Sequence, residues 1–183
     1  MIKPINVFLC ATAKLLFFAS FLCLSFFSNA QNTIPTVGTD FWMGYMNNSG
    51  SSNAELRLFV TGQTACSGTV ELPLVGWSVN FNVTPNATTT IIIPNNLAEH
   101  TSNDIVDNKG VHITTSDTVS VFAINFATFS ADASKILPKV SLGTNYLVSA
   151  YNGLGASNRS EFLIVATEDA TQIQITPSIG TAG

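Results

Sequence analysis

Hydrophobic and polar side chains alternate along most of the chain from residue 40 onward, instead of recurring every three or four positions. Alternation with a period of two is typical of β-strands that bury one face and expose the other. Leu56, Leu58 and Val60 share one face of such a segment, and four large apolar residues alternate with Ser and Asn in Trp77–Val83. The same pattern predicts further strands at residues 90–93, 111–115, 119–126, 146–151, 162–167 and 173–176.

Turn-forming residues separate these segments, and helical periodicity is weak. Gly, Pro, Asn and Asp lie between the strands. The polar segment 95–107 comes nearest to a helix, and we predict that it forms a long loop or a single turn. The fold prediction is therefore an all-β, antiparallel β-sandwich of about nine or ten short strands. No substantial helix is expected after the first 30 residues.

The first 30 residues have the layout of a secretory signal peptide. Lys3 and Lys14 precede an almost unbroken apolar run that ends at Phe27 and is short for a bilayer span. Small residues follow as far as Ala30, and we predict cleavage after that residue. An uncleaved anchor helix is the alternative, which the lack of a basic flank after Phe27 disfavours. The sequence thus predicts a secreted or extracellular protein, or one held on the outer cell surface.

The rest of the chain is expected to comprise a short linker at 31–37 and one β domain at 38–183. Without Lys3 and Lys14 it carries 5 basic and 11 acidic residues, a net charge of −6, and it contains no run of Lys or Arg. We therefore expect no nucleic-acid partner, and no membrane-spanning segment once the leader is removed. Over the full chain 46% of residues are hydrophobic and 10% are charged, which excludes a disordered tail.

Candidate catalytic residues are few. Cys66 is the only cysteine after residue 30, so no internal disulfide can form, and we expect it to be a small, partly buried apolar side chain. A catalytic thiol and an intermolecular disulfide are the alternatives. His112 lies in an alternating strand with Asp117 five residues later, but no Gly-x-Ser-x-Gly elbow accompanies them. We expect no catalytic site and no enzymatic activity; a secreted hydrolase built on His112 is the minority alternative.

The acidic loop at 103–110 offers oxygen ligands of the kind that calcium prefers. Asp104 and Asp107 are three positions apart and do not match the Asp-x-Asp-x-Asp-Gly spacing of calcium loops. We therefore expect a solvated turn that ends at Gly110, with calcium binding as the alternative. Two distant histidines and one cysteine supply too few ligands for zinc. No cofactor or metal site is predicted.

Two further sets of residues are candidate interaction features. Acceptor sequences for N-glycans stand at Asn47, Asn82, Asn86 and Asn158. The aromatic residues near predicted loops, which could form a binding face although core packing is the favoured interpretation, are Phe126, Phe129 and Tyr151. The aromatic residues expected in the core are Phe41, Trp42, Trp77 and Phe81.

A series of short strings runs through residues 38–177 in a distinctive order. The strings are Gly38-Thr39-Asp40-Phe41-Trp42-Met43-Gly44-Tyr45, Gly68-Thr69-Val70, Gly76-Trp77, Gly110-Val111-His112-Ile113-Thr114, Asp117-Thr118-Val119-Ser120-Val121, Leu137-Pro138, Leu142-Gly143-Thr144-Asn145-Tyr146, Thr167-Glu168-Asp169-Ala170-Thr171 and Ile175-Thr176-Pro177. Together and in this order they resemble the N-terminal domain of the IgGFc-binding protein family, which is found in a mucus-associated animal protein and in many secreted bacterial proteins.

This resemblance implies an extracellular binding or adhesion module without enzymatic activity. It does not transfer Fc binding, because no family motif for that contact maps onto these residues. The positions that resemble a family signature, and that we expect to close turns through local hydrogen bonds, are Asp40, His112, Asp117, Glu168 and Asp169. The family domain normally continues past Pro177. We therefore expect a domain truncated at its C-terminus, with its last strand left as an open sheet edge.

The sequence therefore predicts a non-catalytic binding or adhesion module that recognises a glycoprotein, a mucin-like ligand or a polysaccharide. The alternative is a structural spacer within a larger extracellular assembly, which self-associates through an open edge strand. The hydrophobic leader and the Asn- and Thr-rich strands favour a bacterial envelope protein.

Overall fold

The computed structural model describes residues 34–48, 54–128, 130–149 and 160–177. The chain divides into two units, residues 1–34 and 35–183, and the fold presented below is that of the second unit. The predicted signal peptide and residues 31–33 of the predicted linker lie outside the described residues. None of the helices in the described ranges has the length and apolar character needed to traverse a bilayer.

The described residues form nine strands and one short helix. The strands are β1 (Gly38–Met43), β2 (Tyr45–Met46), β3 (Glu55–Gly62), β4 (Cys66–Leu72), β5 (Trp77–Val83), β6 (Thr88–Ile93), β7 (Glu99–His100), β8 (Val111–Ala127) and β9 (Ser130–Ile136). The single-turn helix α1 (Asn95–Ala98) lies between β6 and β7, and a 3₁₀ turn at Lys139–Ser141 follows β9. The prediction of a loop or single turn at 95–107 is thus confirmed, apart from the two residues of β7.

The 17-residue strand β8 organises a curled sheet of seven strands. Its N-terminal half pairs with β1 on one side and β4 on the other, so that Thr114 lies between Asp40 and Thr69. Its C-terminal half pairs with β9 and β3, and Val121 lies between Ile136 and Val60. Strands β5 and β6 extend the two halves, as neighbours of β4 and β3. All of these pairings are antiparallel, whereas the separate two-stranded pair of β2 and β7 is parallel.

The concave side of the sheet holds the hydrophobic core. Odd-numbered residues towards both ends of β8 point inward, among them Val111, Ile113 and Val121, whereas Asp117 in the middle of the strand is exposed. The apolar face predicted for residues 54–60 is completely buried in this core, because Leu56, Leu58 and Val60 are 0% exposed. Burial of each such aliphatic side chain contributes about 2 kcal/mol to stability.

The all-β, antiparallel prediction is confirmed. The described residues form this fold as one sheet that curls along β8 into a half-barrel, in which β3 and β4 follow each other on one side of this strand and β9 and β1 on the other. The predicted break between strands at 111–115 and 119–126 is wrong. Residues Ser116, Asp117 and Thr118 are exposed and polar, but their backbone stays extended while β8 passes from β4 to β3.

The strands predicted at 162–167 and 173–176 are absent from the described chain, as is a strand at 146–149; residues 150 and 151 lie outside the described ranges. Alternation alone is not sufficient there, because Phe162, Ile164, Ile173 and Ile175 remain about half exposed instead of facing the core. Conversely, β9 was not predicted. Its sequence has no large apolar residue before Ile136, and pairing with β8 decides its conformation.

Candidate binding face

Small polar side chains form the outer surface of the sheet around the N-terminal half of β8, which we call the N-terminal half of the sheet. Residues on β4, β5 and β8 alternate between the core, which contains Val70, Phe81 and Ile113, and this outer surface. The six outward residues that define what we call the polar face are Ser67, Thr69, Asn80, Asn82, Thr114 and Ser116. None of them carries a charge.

Strand register arranges these six residues in two parallel rows. Thr69 stands opposite both Asn80 and Thr114, which forms the first row across three strands. Ser67 stands opposite Asn82, and its backbone N–H donates to Ser116 Oγ at 3.1 Å, which forms the second row. Neighbouring strands lie about 4.8 Å apart and alternate residues about 6.6 Å apart along a strand. Hydroxyl and amide groups therefore recur at nearly regular intervals across the face.

An open groove of about 500 Å³ follows the polar face, with Gly68, Phe81 and Thr115 completing its lining. The internal hydrogen bonds of the face use only part of its capacity. Thr69 Oγ1 donates to Asn80 Oδ1 at 2.8 Å, but among the described residues the side chain of Asn82 and the hydroxyl of Thr114 have no partner. These groups can both donate and accept hydrogen bonds with a ligand.

A row of larger side chains borders the polar face on the same outer surface. The ring of His112 stacks on Trp42, with centroids 4.1 Å apart and planes inclined by 14°. Its Nδ1 lies 2.9 Å from Glu71 Oε1, and its Nε2 lies 3.0 Å from Asp40 Oδ1. Both ring nitrogens are thus occupied by carboxylates. Asp117, the acid considered with His112 for catalysis, is five residues away along an extended strand, or about 16 Å.

The core position predicted for Trp42 is wrong. Phe41 and Met43 on either side of it point into the core, so strand alternation places Trp42 on the outer surface beside His112. The predicted core positions of the other three aromatic residues hold, since Phe41 and Phe81 are buried and Trp77 packs against the core. The alternation in the sequence could have predicted the outer position of Trp42, because adjacent residues of a strand lie on opposite faces.

Lys139 connects the C-terminal segment to this border. Its Nζ lies 2.6 Å from Glu168 Oε1. This hydrogen bond raises the pKa of Lys139, and the negative charge of Asp40 raises it further. Two of the signature positions, Asp40 and Glu168, therefore act on the same cation. Within the described ranges the side chain of Asp169 makes no hydrogen bond or ion pair.

Asp117 makes a hydrogen bond from the middle of β8 to the β3–β4 connection. Its carboxylate accepts hydrogen bonds from Thr64 Oγ1 at 2.6 Å and from the backbone N–H of Thr118 at 2.7 Å. The pKa of Asp117 is lowered by these two donors, the hydroxyl of Thr64 being the larger cause. The side chain thus fastens the β3–β4 connection to the exposed centre of β8.

The acidic loop at 103–110 directs its second carboxylate to protein groups. Asp107 Oδ1 accepts from the backbone N–H of Lys109 at 3.2 Å and lies 3.1 Å from His100 Nδ1. Asp104 adopts a positive φ of 54°. The part of the chain that the structure describes contains no cluster of three or more His, Cys, Asp or Glu residues arranged to hold a metal ion.

Exposed aromatic rings lie on the outer surface of the sheet around the C-terminal half of β8, which we call the C-terminal half of the sheet. The core interpretation of Phe126 is wrong, because this side chain is 45% exposed with the Arg57 guanidinium 6.0 Å from its ring centroid. Phe122, which sequence reasoning missed, lies on the same surface with Lys135 Nζ 5.6 Å from its ring. Even-numbered residues of β8 point outward throughout, which could have identified both. Phe129 and Tyr151 lie outside the described side chains.

Sequence reasoning also missed a buried polar cluster. Asn48, Glu99 and Asn125 are all at most 6% exposed. Asn48 Nδ2 donates to the backbone oxygen of Asn125 at 3.2 Å, and the backbone N–H of Asn48 donates to Glu99 Oε1 at 3.2 Å. Asn125 Nδ2 in turn donates to the backbone oxygen of Met46 at 2.7 Å. The cluster ties the β2–β7 pair to β8.

The remaining candidates occupy surface or peripheral positions. Cys66 has a free thiol and is partly buried against the core. Among the N-glycan acceptor sequences, Asn82 lies on the polar face, Asn47 is exposed, and Asn86 is exposed in a turn with a φ of 57°. Asn158 lies outside the described residues.

Comparison with protein families gives one match. The model of the family IgGFc binding protein matches residues 132–183. This segment is therefore similar to the IgGFc-binding family. It contains β9, Lys139 and Glu168, and it confirms the resemblance for the strings at 137–138, 142–146, 167–171 and 175–177, whereas the earlier strings precede the match. No curated protein and no solved structure matches the chain significantly.

Proposed function

We propose that this protein is a non-catalytic extracellular binding module whose polar face recognises a hydroxyl-rich glycan, carried by a mucin-like glycoprotein or present as a polysaccharide. The observation that carries the proposal is the set of six uncharged hydroxyl and amide side chains on three adjacent strands, which line an open groove. Sugars present hydroxyl groups that donate and accept hydrogen bonds, and Ser, Thr and Asn side chains do the same.

The geometry of the face suits an extended ligand. The rows of side chains cross β5, β4 and β8 at intervals of about 4.8 Å, which is close to the length of one sugar unit. Thr114 and Asn82, at opposite sides of the groove, have unused hydrogen-bonding capacity. The groove is open, so a chain of several sugar units could lie along it without a terminal pocket.

The contacts of His112 support a binding role without catalysis. A general base needs a ring nitrogen within hydrogen-bond reach of the reacting proton. Both nitrogens of His112 face carboxylates, and Asp117 lies too far along β8 to orient this ring. The match of residues 132–183 to the IgGFc-binding family model supports the same class of protein. The apolar leader in the sequence supports location outside the cell, secreted or on the outer cell surface of a bacterium.

The direct test is binding of the full chain to an immobilised mucin-type glycoprotein and to neutral polysaccharides, compared with Thr114→Val. This substitution keeps the β-branched shape and removes the hydroxyl group from the polar face. Loss of one hydrogen bond is expected to weaken binding roughly fivefold. Thr90→Val is the matched control, because Thr90 is an exposed strand residue on β6 in the other half of the sheet. Equal binding by both variants would contradict the proposal.

A second candidate function is a structural spacer that self-associates through β6. This strand consists of six β-branched residues without charge or proline, and in the described part of the sheet it pairs with β3 alone. Ile92 on β6 is 61% exposed. Native edge strands are usually protected by charges, prolines or bulges, and β9 has Asp132 and Lys135. The unprotected edge of β6 supports pairing with a second copy of the chain.

A further inference from the structure

The border of the polar face carries negative charge, although the groove itself is uncharged. Glu71 follows Thr69 by two residues and therefore points outward from the same strand. Asp40 stands opposite Thr114 on the neighbouring strand β1. The side chains of Glu71 and Asp40 are 39% and 42% exposed, so both carboxylates can act on a ligand in the groove.

The cations near this border do not cancel its charge. His112 lies between the two carboxylates and contributes at most one positive charge to a pair that carries two negative ones. Lys139 also interacts with the charge of Asp40, but it forms an ion pair with Glu168 at 2.6 Å, and that pair has no net charge. Two further described cations contact outward rings, but both lie on the C-terminal half of the sheet. They are Arg57, over Phe126, and Lys135, over Phe122.

We propose that the polar face selects uncharged glycans, and that Glu71 and Asp40 exclude glycans that carry carboxylate or sulfate groups. This inference rests on the proposed function, since it concerns the ligand of the same face. An anionic sugar two residues away from Glu71 along the strand lies about 7 Å from its charge. In water such a pair of like charges weakens binding roughly threefold, and salt screens the effect.

The experiment compares two forms of one mucin-type glycoprotein, native and with its sialic acids removed by a sialidase. Affinity of the full chain for each form is measured at low and at high ionic strength. We expect the desialylated form to bind more tightly at low salt, and the difference to shrink at high salt. Glu71→Gln removes one border charge and is expected to raise the ratio of native to desialylated affinity roughly threefold. Asp40→Asn is expected to change this ratio in the same direction.

Glu55→Gln is the matched control, because it removes the same charge from a side chain of similar exposure, 37%, on the other half of the sheet. The ratio should not change in this variant, which separates the border charge from the net charge of the protein. Thermal unfolding of each variant establishes that it is folded. Equal affinity for the two forms, or tighter binding of the native form, would overturn the inference and leave the proposed function standing. Lack of binding to both forms and to the neutral polysaccharides would overturn the proposed function, and the inference with it.

Discussion

The indole of Trp42 and the imidazole of His112 stack across two antiparallel strands, with ring centroids 4.1 Å apart. The two carboxylates of Asp40 and Glu71 hold the imidazole from both sides. A neutral imidazole has one N–H and can donate to only one carboxylate, whereas the imidazolium can donate to both. The arrangement connects β1, β8 and β4 on the outer surface, directly beside the proposed binding face.

Replacement of His112 by alanine is expected to destabilise the fold. The variant loses the ring stack and the hydrogen bonds to Asp40 and Glu71, and it leaves two carboxylates near each other without a common partner. Because the ring is partly exposed, we expect a decrease of about 1–2 kcal/mol in the free energy of unfolding. Chemical denaturation measures this quantity. Ser78→Ala, an exposed substitution on the same row of the sheet, is the control and should change stability by less than about 0.5 kcal/mol. Equal stabilities of the two variants would show that the His112 contacts are dispensable.

Asp117 should make stability depend on pH in the acid range. Thr64 and Thr118 lower the pKa of this carboxyl below its ordinary value of 3.8, so the folded state favours the ionised form. The stabilisation is present above that ordinary value and is lost as the pH falls through the lower pKa of the folded state. Asp117→Asn should therefore be less stable than the native chain at pH 7, with a gap that narrows under acid conditions. Denaturation curves at a series of pH values test this expectation.

Thr64→Val is the control for the same interaction. It removes the main donor to Asp117 without changing a charge. The free energy of unfolding of this variant should therefore also depend less on pH in the acid range. A gap between native chain and Asp117→Asn that stays constant down to the lowest pH would show that the hydrogen bonds do not favour the ionised carboxyl.

Gly44→Ala tests how the C-terminal segment packs. A Cβ at this position would collide with Cδ2 of Leu163 and would lie 3.2 Å from Val165 Cγ2, so the Leu163 side chain or the segment that carries it would have to shift. Overpacking of this kind costs about 1–3 kcal/mol. Limited proteolysis and denaturation should reveal easier release of residues 160–167. Gly143→Ala, where nothing lies within 4 Å of the added Cβ, should behave like the native chain. If proteases cleave the chain near Leu163 no faster in Gly44→Ala than in the native chain, the packing of Leu163 on Gly44 would be contradicted.

Ile92→Lys tests the edge of β6. A charged side chain on an edge strand opposes pairing with another strand. If β6 mediates self-association, sedimentation velocity of the full chain should show a dimer that the lysine variant lacks. Thr69→Lys places the same charge on β4, which already pairs on both sides, and should leave the dimer intact. A monomeric native chain would remove the support for the spacer function.

Particular residues show how much the sequence could predict. The alternation of Leu56, Leu58 and Val60 predicted both a strand and its buried face, because the period of two follows from backbone geometry. The same geometry places Trp42 and Phe41 on opposite faces of β1, yet their residue types suggested a core position for both. Hydrophobicity describes average burial, whereas alternation determines the face of each residue, and here alternation decides.

Other features depend on distant partners. Asp40, Glu71 and His112 are separated by 31 to 72 residues and meet only because β1 and β4 pair with the same half of β8. Alternation at 162–167 resembles that of true strands, but those residues find no pairing partner in the described sheet. Strand β9 is the reverse case, because its weakly apolar sequence does not predict a strand but forms one through seven residue pairs with β8. Local pattern therefore predicts the fold class, and long-range pairing builds the candidate site.

The central claim is that a glycan lies along the polar face, and nuclear magnetic resonance of the isotope-labelled protein tests it most directly. Titration with a neutral polysaccharide or with a desialylated mucin-type glycopeptide should shift the amide signals of β4, β5 and the N-terminal half of β8. The side-chain amide signals of Asn80 and Asn82 should move with them, because both side chains line the groove. Shifts confined to the opposite half of the sheet, around Phe122 and Phe126, or a spectrum unchanged by every neutral glycan, would contradict the account.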